Sequence, residues 1–130
     1  DLAYLVLEAP ITAVAPVKVA AHRERCDYEA IGYGPKTRAE TVTDIKSRTS
    51  VCAKAGFDTK GFIRGIAQQG NVCFGFGGGP LVAPGEAEVS GILSWGEAWC
   101  SEDSQRENYF APLEHPDNVA FVKEALAAAK

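Results

Sequence analysis

Short apolar runs that end at Gly or Pro make up most of the chain before residue 115, and this pattern predicts strands. The first run, residues 1–8, is strand-like and is followed by an apolar connector over residues 11–20. Residues 54–71 are rich in Gly, Lys and Gln, which predicts an exposed loop. Further strands are predicted over residues 27–34, 80–83, 89–95 and 108–113.

The periodicity changes after residue 115 and predicts one terminal helix. Pro116 and Asp117 are residue types that favour a helix start. The end of the segment is rich in Ala, the strongest helix former. Several short strands followed by a single helix predict an all-β barrel or sandwich. The apolar stripe of this helix consists of Val119, Val122 and Leu126, widened by Phe121 and Ala125.

The composition is that of one globular domain and excludes several functions. The chain has 130 residues, of which 46% are apolar and 23% charged, which rules out wholesale disorder. No apolar run approaches the roughly 18 residues that a membrane span needs. The net charge is −4 and basic residues occur only in short mixed runs, so nucleic acids and anionic membranes are not expected partners.

The four cysteines form an even set that allows three disulfide pairings. No C-x-x-C spacing occurs and the sequence has only two histidines, so neither a zinc site nor another metal site is predicted. The chain contains no Met, and its start at Asp1 is expected to result from processing. Together these features favour an oxidising compartment and a secreted protein. The alternative is a cytosolic protein with four buried free thiols.

A glycine cluster lies between Cys73 and Leu81, where the sequence reads CFGFGGGPL. A phosphate-binding P-loop would need a Lys followed by Ser or Thr at the start of a helix. Here Pro80 and a predicted strand follow the glycines. The cluster therefore does not predict a nucleotide site, and no cofactor is predicted for the chain.

In its context the glycine cluster resembles the C-x-G-D-S-G-G-P-L motif of the trypsin-like serine proteases. The match extends along the chain but covers only the second half of that family's fold. The resemblance implies the second Greek-key, six-stranded β-barrel of a two-barrel protein, followed by a C-terminal α-helix. Four further segments carry it: residues 1–7 resemble D-I-A-L-L-x-L, 30–34 resemble x-x-G-W-G, 50–53 resemble M-I-C-A and 91–96 resemble G-I-V-S-W-G.

The resemblance also implies how the chain is organised. Residues 1–10 correspond to the last strand of the first barrel, which the sequence otherwise lacks, and residues 11–25 to the connector between barrels. Residues 26–114 correspond to the second barrel and residues 115–130 to the terminal helix. Without that barrel, the leucines of residues 1–10 would face water on an unpaired strand, so a partner is expected to bury them. The expected partner is the missing N-terminal half as a separate chain, or a second copy of this chain.

The positions that carry catalysis in the family are altered here. Asp1 falls on the Asp of the catalytic triad, but the nucleophilic Ser falls on Gly77, which has no side chain. The family's catalytic His belongs to the first half. The Asp that binds the new N-terminal amine after activation falls on Phe76. The backbone N–H groups of Gly75 and Gly77 correspond to the oxyanion hole, a cradle for an acceptor oxygen.

The resemblance assigns a specificity pocket and one bridge, and elimination leaves a second bridge. Asn71 falls at the base of the pocket, where an amide argues against selection of Lys or Arg. Ser94, Trp95 and Gly96, with Leu93, fall on one wall, and residues 97–99 are bulky enough to fill part of the pocket. Cys100 falls on the bridge partner of Cys73. The family's usual partner of Cys52 is not available, so Cys26 remains as its partner.

These residues and the resemblance allow three alternative interpretations of the function. The leading interpretation is a secreted, catalytically inactive serine protease homologue that acts by binding a protease, another protein or a peptide. The second is a chain of an active trypsin-like endopeptidase whose written sequence is altered at the Ser position. The third is a stand-alone structural or carbohydrate-binding domain. The candidates for its aromatic platform are Trp95, Trp99, Tyr109 and Phe110, although residues at this spacing more often belong to the core or to a cleft wall.

Overall fold

The computed structural model describes residues 1–35, 45–96 and 107–128, which form seven strands and one helix. The strands and the helix are β1 (Lys18–Val19), β2 (Arg25–Gly32), β3 (Ser47–Ala53), β4 (Ile63–Ala67), β5 (Pro80–Ala83), β6 (Glu88–Gly96), β7 (Glu107–Pro112) and α1 (Pro116–Ala128).

Six of these strands close into an antiparallel barrel. The order is β6-β5-β2-β3-β4-β7, and β7 pairs again with β6. Strands β2, β3 and β4 follow one another, and β5 returns to lie beside β2, which is the Greek-key arrangement. The two-residue β1 adds to β6 in parallel. The predicted all-β barrel with a C-terminal helix is confirmed.

The barrel interior is filled by apolar side chains that alternate with outward-facing ones. In β4 burial alternates residue by residue, as a strand with one face on the core requires. Alternation also occurs in β5 and in much of β2 and β3, whereas β6 and β7 contain runs of consecutive buried residues. Together these strands give one continuous core. Its largest members, all at most 1% exposed, are Tyr28, Val51, Ile63, Phe76, Leu81 and Phe110.

The predicted exposed loop over residues 54–71 is wrong in its second half, because this segment contains β4. Gly65 interrupts the apolar pattern in the middle of the strand. Its lack of a side chain has a packing reason. A Cβ at Gly65 would lie 2.6 Å from Val51 Cγ1 and 2.9 Å from Phe110 Cε2. The glycine therefore lets two core side chains meet over the strand, and this need is not visible in a local pattern.

The predicted strand over residues 1–8 is not formed, and residues 1–17 have no regular secondary structure. The six strands close on one another, and the edge at the start of β6 is taken by β1, so no free edge remains for this segment among the described residues. The apolar side chains of Leu5, Leu7 and Ile11 are exposed. Assignment of residues 1–10 to another barrel stays a prediction, because that strand would need partners outside this chain.

The connector predicted over residues 11–25 is attached to the barrel only in its second part. Lys18 N donates to Ala87 O at 2.9 Å and Ala20 N donates to Val89 O at 3.0 Å. Arg23 N donates to the hydroxyl of Tyr28 at 3.0 Å. The connector thus becomes part of the barrel wall before β2 begins.

The terminal helix is confirmed, and it starts at Pro116. His115 caps it, because Asp117 N donates to His115 Nδ1 at 3.2 Å. No residue of the helix is fully buried, and Leu126 of the predicted stripe is exposed. One described contact is with the N-terminal segment, where the Tyr4 ring packs against Phe121. No helix among the described residues is long and apolar enough to cross a membrane.

A disulfide between Cys26 and Cys52, with an S–S distance of 2.06 Å, confirms one predicted bridge. The two residues lie on the paired strands β2 and β3, beside the irregularity in their register. The other predicted bridge joins Cys73 to Cys100, which lies outside the described residues.

Candidate functional site

The glycine cluster forms two consecutive β-turns that share Phe76. Phe76 N donates to Cys73 O at 3.1 Å and Gly79 N donates to Phe76 O at 2.8 Å. The third residue of each turn has positive φ, 92° at Gly75 and 78° at Gly78. That conformation is typical of type II turns and explains why glycine occupies these two positions. The repeated glycines therefore fit the geometry of a double turn.

This double turn, residues 73–79, is bonded to the barrel on both sides. On one side Tyr33 N donates to Gly75 O at 3.0 Å. On the other side Gly78 N donates to Leu93 O at 2.9 Å, and Leu93 N donates to Gly79 O at 2.8 Å. The double turn thus lies between the end of β2 and the middle of β6.

Gly77, the position predicted to correspond to the nucleophile, is exposed at the start of the second turn. A Cβ added there would have no atom of the described residues within 4 Å. The position therefore faces open space and has room for a side chain that the sequence does not supply. The N–H groups of Gly75 and Gly77 donate to no acceptor among the described residues. Two donors are thus available beside an empty position.

Phe76 points in the opposite direction, into the core, and is 0% exposed. A Cβ on Gly32 would lie 2.7 Å from Phe76 Cα and 2.8 Å from ring atom Cδ1. The ring therefore lies directly against the backbone of β2. The sequence predicts that this position cannot bind an amine, but it does not predict that the ring is a core residue.

Asp1 and Ser94 are brought together across 93 positions of sequence, since the Ser94 hydroxyl donates to the Asp1 carboxylate. Ser94 follows Leu93, whose backbone is bonded to the double turn. Two predicted site residues, Asp1 and Ser94, therefore meet on the β6 side of the turn. Asp1 is exposed and Ser94 is half-buried.

Both histidines of the sequence lie elsewhere, at the segment between β3 and β4. The ring centroids of His22 and His115 are 5.0 Å and 4.8 Å from that of Phe57. His22 Nε2 is also 2.9 Å from Gly56 O. Neither imidazole has a described contact with the double turn, so this chain offers no histidine base at Gly77.

Asn71 is buried, at 2% exposed, rather than presented to an open pocket. Its Oδ1 accepts the N–H of Val72 at 2.8 Å and the side-chain amide of Asn108 at 3.4 Å. Asn108 is equally buried and lies beneath Gly96, where an added Cβ would be 2.7 Å from its Oδ1. The two amides form a neutral polar pair below the wall. No sequence signal marks Asn108 for this role.

Trp95 stacks on Tyr109, with ring centroids 3.9 Å apart and planes inclined by 7°. Lys60 Nζ lies 5.3 Å from the centroid of the Trp95 ring, within the range of a cation–π contact. Trp95 is 38% exposed, whereas Tyr109 is buried. Phe110, a candidate for the aromatic platform, is a core residue, as the alternative interpretation expects. Trp99 of that platform and the predicted pocket filling by residues 97–99 lie outside the described residues.

The described residues contain no group of three or more His, Cys, Asp or Glu side chains placed to hold a metal ion. The described groups at the site are backbone hydrogen-bond donors, the stacked rings of Trp95 and Tyr109, and the neutral amides of Asn71 and Asn108. The arrangement offers binding contacts, and in this chain it offers no side-chain nucleophile at the double turn.

A comparison with curated proteins finds no match. A comparison with protein families does, and the family model described as Trypsin matches residues 1–115. This span includes the N-terminal segment, the whole barrel and the double turn. The agreement of this match with the closed barrel and the placement of the glycine cluster leads to one conclusion: the chain belongs to the trypsin family.

Proposed function

We propose that this chain is a non-catalytic member of the trypsin family that acts by binding a protein or a peptide. The observation that carries the proposal is Gly77, which provides open space and a backbone N–H but no nucleophilic oxygen. Acyl transfer in this family type needs a hydroxyl and a base within hydrogen-bond reach. The described positions of the two histidines supply no such base.

Two surface features support binding. The N–H donors of Gly75 and Gly77 are available for an acceptor oxygen, as the carbonyl of a peptide would offer. The Trp95 side chain, which is 38% exposed and contacts Tyr109 and Lys60, is an aromatic residue of the kind that is enriched at interfaces. We place the protein in an oxidising, extracellular compartment, which the Cys26–Cys52 bridge supports.

A partner for the N-terminal segment is part of the proposal. Leu5, Val6 and Leu7 are exposed, and an apolar stretch of this kind marks an interaction surface. The partner is a chain that supplies the first barrel, or a second copy of this chain. Sedimentation of the purified protein at micromolar concentration tests both forms. A monomer of 13.8 kDa in every preparation contradicts them.

Labelling with a fluorophosphonate, a probe that reacts with activated serines, tests the absence of catalysis. We expect no labelling of the natural chain and none of Gly77→Ser, because the restored hydroxyl still lacks a base. Gly77→Ala is the matched control, and an active trypsin is the positive control for the probe. Labelling of the natural chain within residues 73–81 overturns the proposal. Mass spectrometry of the same peptide shows whether Gly77 and Phe76 are the natural residues.

A further inference from the structure

The double turn has an unusual composition for a segment that must hold a fixed shape. Four of the five residues from Gly75 to Gly79 are glycines, and glycine loses more backbone freedom on ordering than any other residue. The intrinsic cost of fixing each residue is about 1–2 kcal/mol. A segment of this kind needs an anchor if it is to present the N–H groups of Gly75 and Gly77 in fixed directions.

Phe76 is the one residue of that run with a side chain, and it is completely buried. Its ring belongs to the main core cluster, together with Tyr28 of β2 and Leu81 of β5. Gly32 leaves space for this packing, since any Cβ there would collide with the ring. Burial of a Phe side chain contributes about 1.5–3 kcal/mol. The anchor is therefore apolar and lies within this barrel.

The position of Phe76 in the backbone makes this anchor effective for both turns. Its N–H closes the first turn on Cys73 O, and its carbonyl oxygen closes the second by accepting from Gly79 N. Fixing this one residue therefore fixes the last position of one turn and the first position of the next. The available donors of Gly75 and Gly77 are its immediate neighbours on either side.

We infer that Phe76 is a positioning residue that keeps the N–H groups of Gly75 and Gly77 permanently assembled as a cradle for a carboxylate or carbonyl oxygen. No charged group is needed to complete the cradle, because the anchoring contact is apolar. The inference rests on the proposed function and deepens it by naming the residue that holds the two donors in place. The ligand class is a peptide that presents a carbonyl or a terminal carboxylate to the double turn.

Acetate is a suitable probe, followed by the ¹⁵N and ¹H chemical shifts of the chain. We expect saturable shifts at Gly75 and Gly77 in the natural chain without any partner or processing step. The variants Phe76→Leu and Phe76→Ala form a graded series in which the anchor shrinks. We expect acetate affinity to fall about 3-fold and at least about 10-fold, while resonances of β3 and β4 stay in place.

Phe74→Ala is the matched control, because Phe74 is the same residue type two positions away but is exposed. It should keep the acetate affinity of the natural chain. Amide exchange at Gly78 and Gly79 gives a readout without ligand, and both amides should exchange faster only in the Phe76 variants.

Absence of acetate shifts in the natural chain overturns the inference. Equal affinity in the natural chain and in Phe76→Leu, which keeps an apolar side chain and is expected to fold, overturns the positioning role. Fluorophosphonate labelling bears on catalysis alone, so the two proposals fail separately.

Discussion

The barrel and the N-terminal segment are both apolar in sequence, yet only one of them forms strands. Strand β5 carries Leu81, which is 0% exposed, whereas residues 1–17 carry Leu5, which is 89% exposed. The difference lies in the partners that each segment finds for its backbone. Each barrel strand has two barrel neighbours, and the edge left at the start of β6 is taken by β1. An apolar pattern therefore predicts a strand only where the chain also supplies a place for it.

The N-terminal segment is held at its ends rather than along its length. Asp1 accepts a hydrogen bond from Ser94, and Tyr4 donates to Glu124 Oε1 at 3.1 Å. At the other end Lys18 enters β1. The residues between Tyr4 and Lys18 expose their apolar side chains, so their contribution to folding in this chain is small.

The comparison is tested most strongly by a matched pair of leucine truncations. We expect Leu81→Ala to lower the free energy of unfolding by about 2–5 kcal/mol, because it leaves a cavity in the core. Leu5→Ala should change it by less than about 0.5 kcal/mol in the monomer, because the side chain is already in water. Urea denaturation followed by tryptophan fluorescence measures both.

The same pair separates the two regions in an assembly. If a partner covers the N-terminal segment, Leu5→Ala weakens association while Leu81→Ala does not act on the interface directly. A Leu5→Ala monomer that loses as much stability as Leu81→Ala would mean that the segment is packed in solution, and would contradict the difference drawn above.

Removal of the Cys26–Cys52 bridge tests whether the barrel is stabilised independently of the N-terminal segment. The bridge spans a sequence separation of 26, for which the chain-entropy relation gives about 3.5 kcal/mol. The double variant Cys26→Ala/Cys52→Ala should lose stability of that order in non-reducing urea denaturation. Limited proteolysis within residues 5–17 should proceed at the rate of the natural chain under native conditions. Faster cleavage there would show that the two regions are coupled.

The sequence predicts much of this fold because the barrel strands carry local signals. The apolar runs over residues 80–83 and 89–95 and the Pro116 helix start all lead to elements that the structure contains. The failures have a common physical cause. Gly65 interrupts the apolar pattern of β4, so the sequence does not predict this strand. A glycine is present because Val51 and Phe110 occupy the space that a side chain would need. Contacts between distant segments decide such positions, and no short window of sequence contains them.

In the candidate site, too, some features follow from local sequence and others depend on contacts between distant segments. The residue types at Gly77 and Phe76 predict what chemistry is missing, because that depends on the side chain alone. The buried pair of Asn71 with Asn108 and the contact of Lys60 with Trp95 depend on which strands become neighbours. They are visible only when the barrel is assembled, as is the apolar anchoring of the double turn.

Two glycines of the double turn allow the same contrast between an enclosed and an open position to be tested next to the barrel. A Cβ at Gly79 would lie 2.0 Å from Ile31 O, so Gly79→Ala must displace backbone and should cost about 1–3 kcal/mol or more. Gly77→Ala adds a methyl group in open space and should be neutral or stabilise by up to about 1 kcal/mol. Thermal unfolding of both variants measures this. Equal losses would show that Gly77 is enclosed in solution.

The smallest expected effect concerns the ion pairs where the connector joins the barrel. Arg25 NH1 lies 2.8 Å from Glu86 Oε1, and the same guanidinium is paired with Asp27. Hydrogen bonds from Arg25 lower the pKa of both carboxyl groups below their usual range. Groups whose pKa is lower in the folded chain stabilise it above the unfolded pKa. That stability is lost as pH falls through the lowered pKa values.

Arg25→Gln should therefore lower the urea midpoint at pH 7, and the difference from the natural chain should shrink as the medium is made strongly acidic. Arg48→Gln is the matched control, because Arg48 also forms an ion pair but has only one carboxylate partner, Glu29, at 3.4 Å. The Arg48 side chain is also more exposed than that of Arg25. An exposed pair of that kind contributes about 0–1 kcal/mol. A difference for Arg25→Gln that stays constant down to acidic pH would show that the residue acts through packing, including its contact with the Tyr28 ring, rather than through its charge. In that event the contact of Arg25 with the Tyr28 ring, rather than its ion pairs, would stabilise the junction between the connector and the barrel.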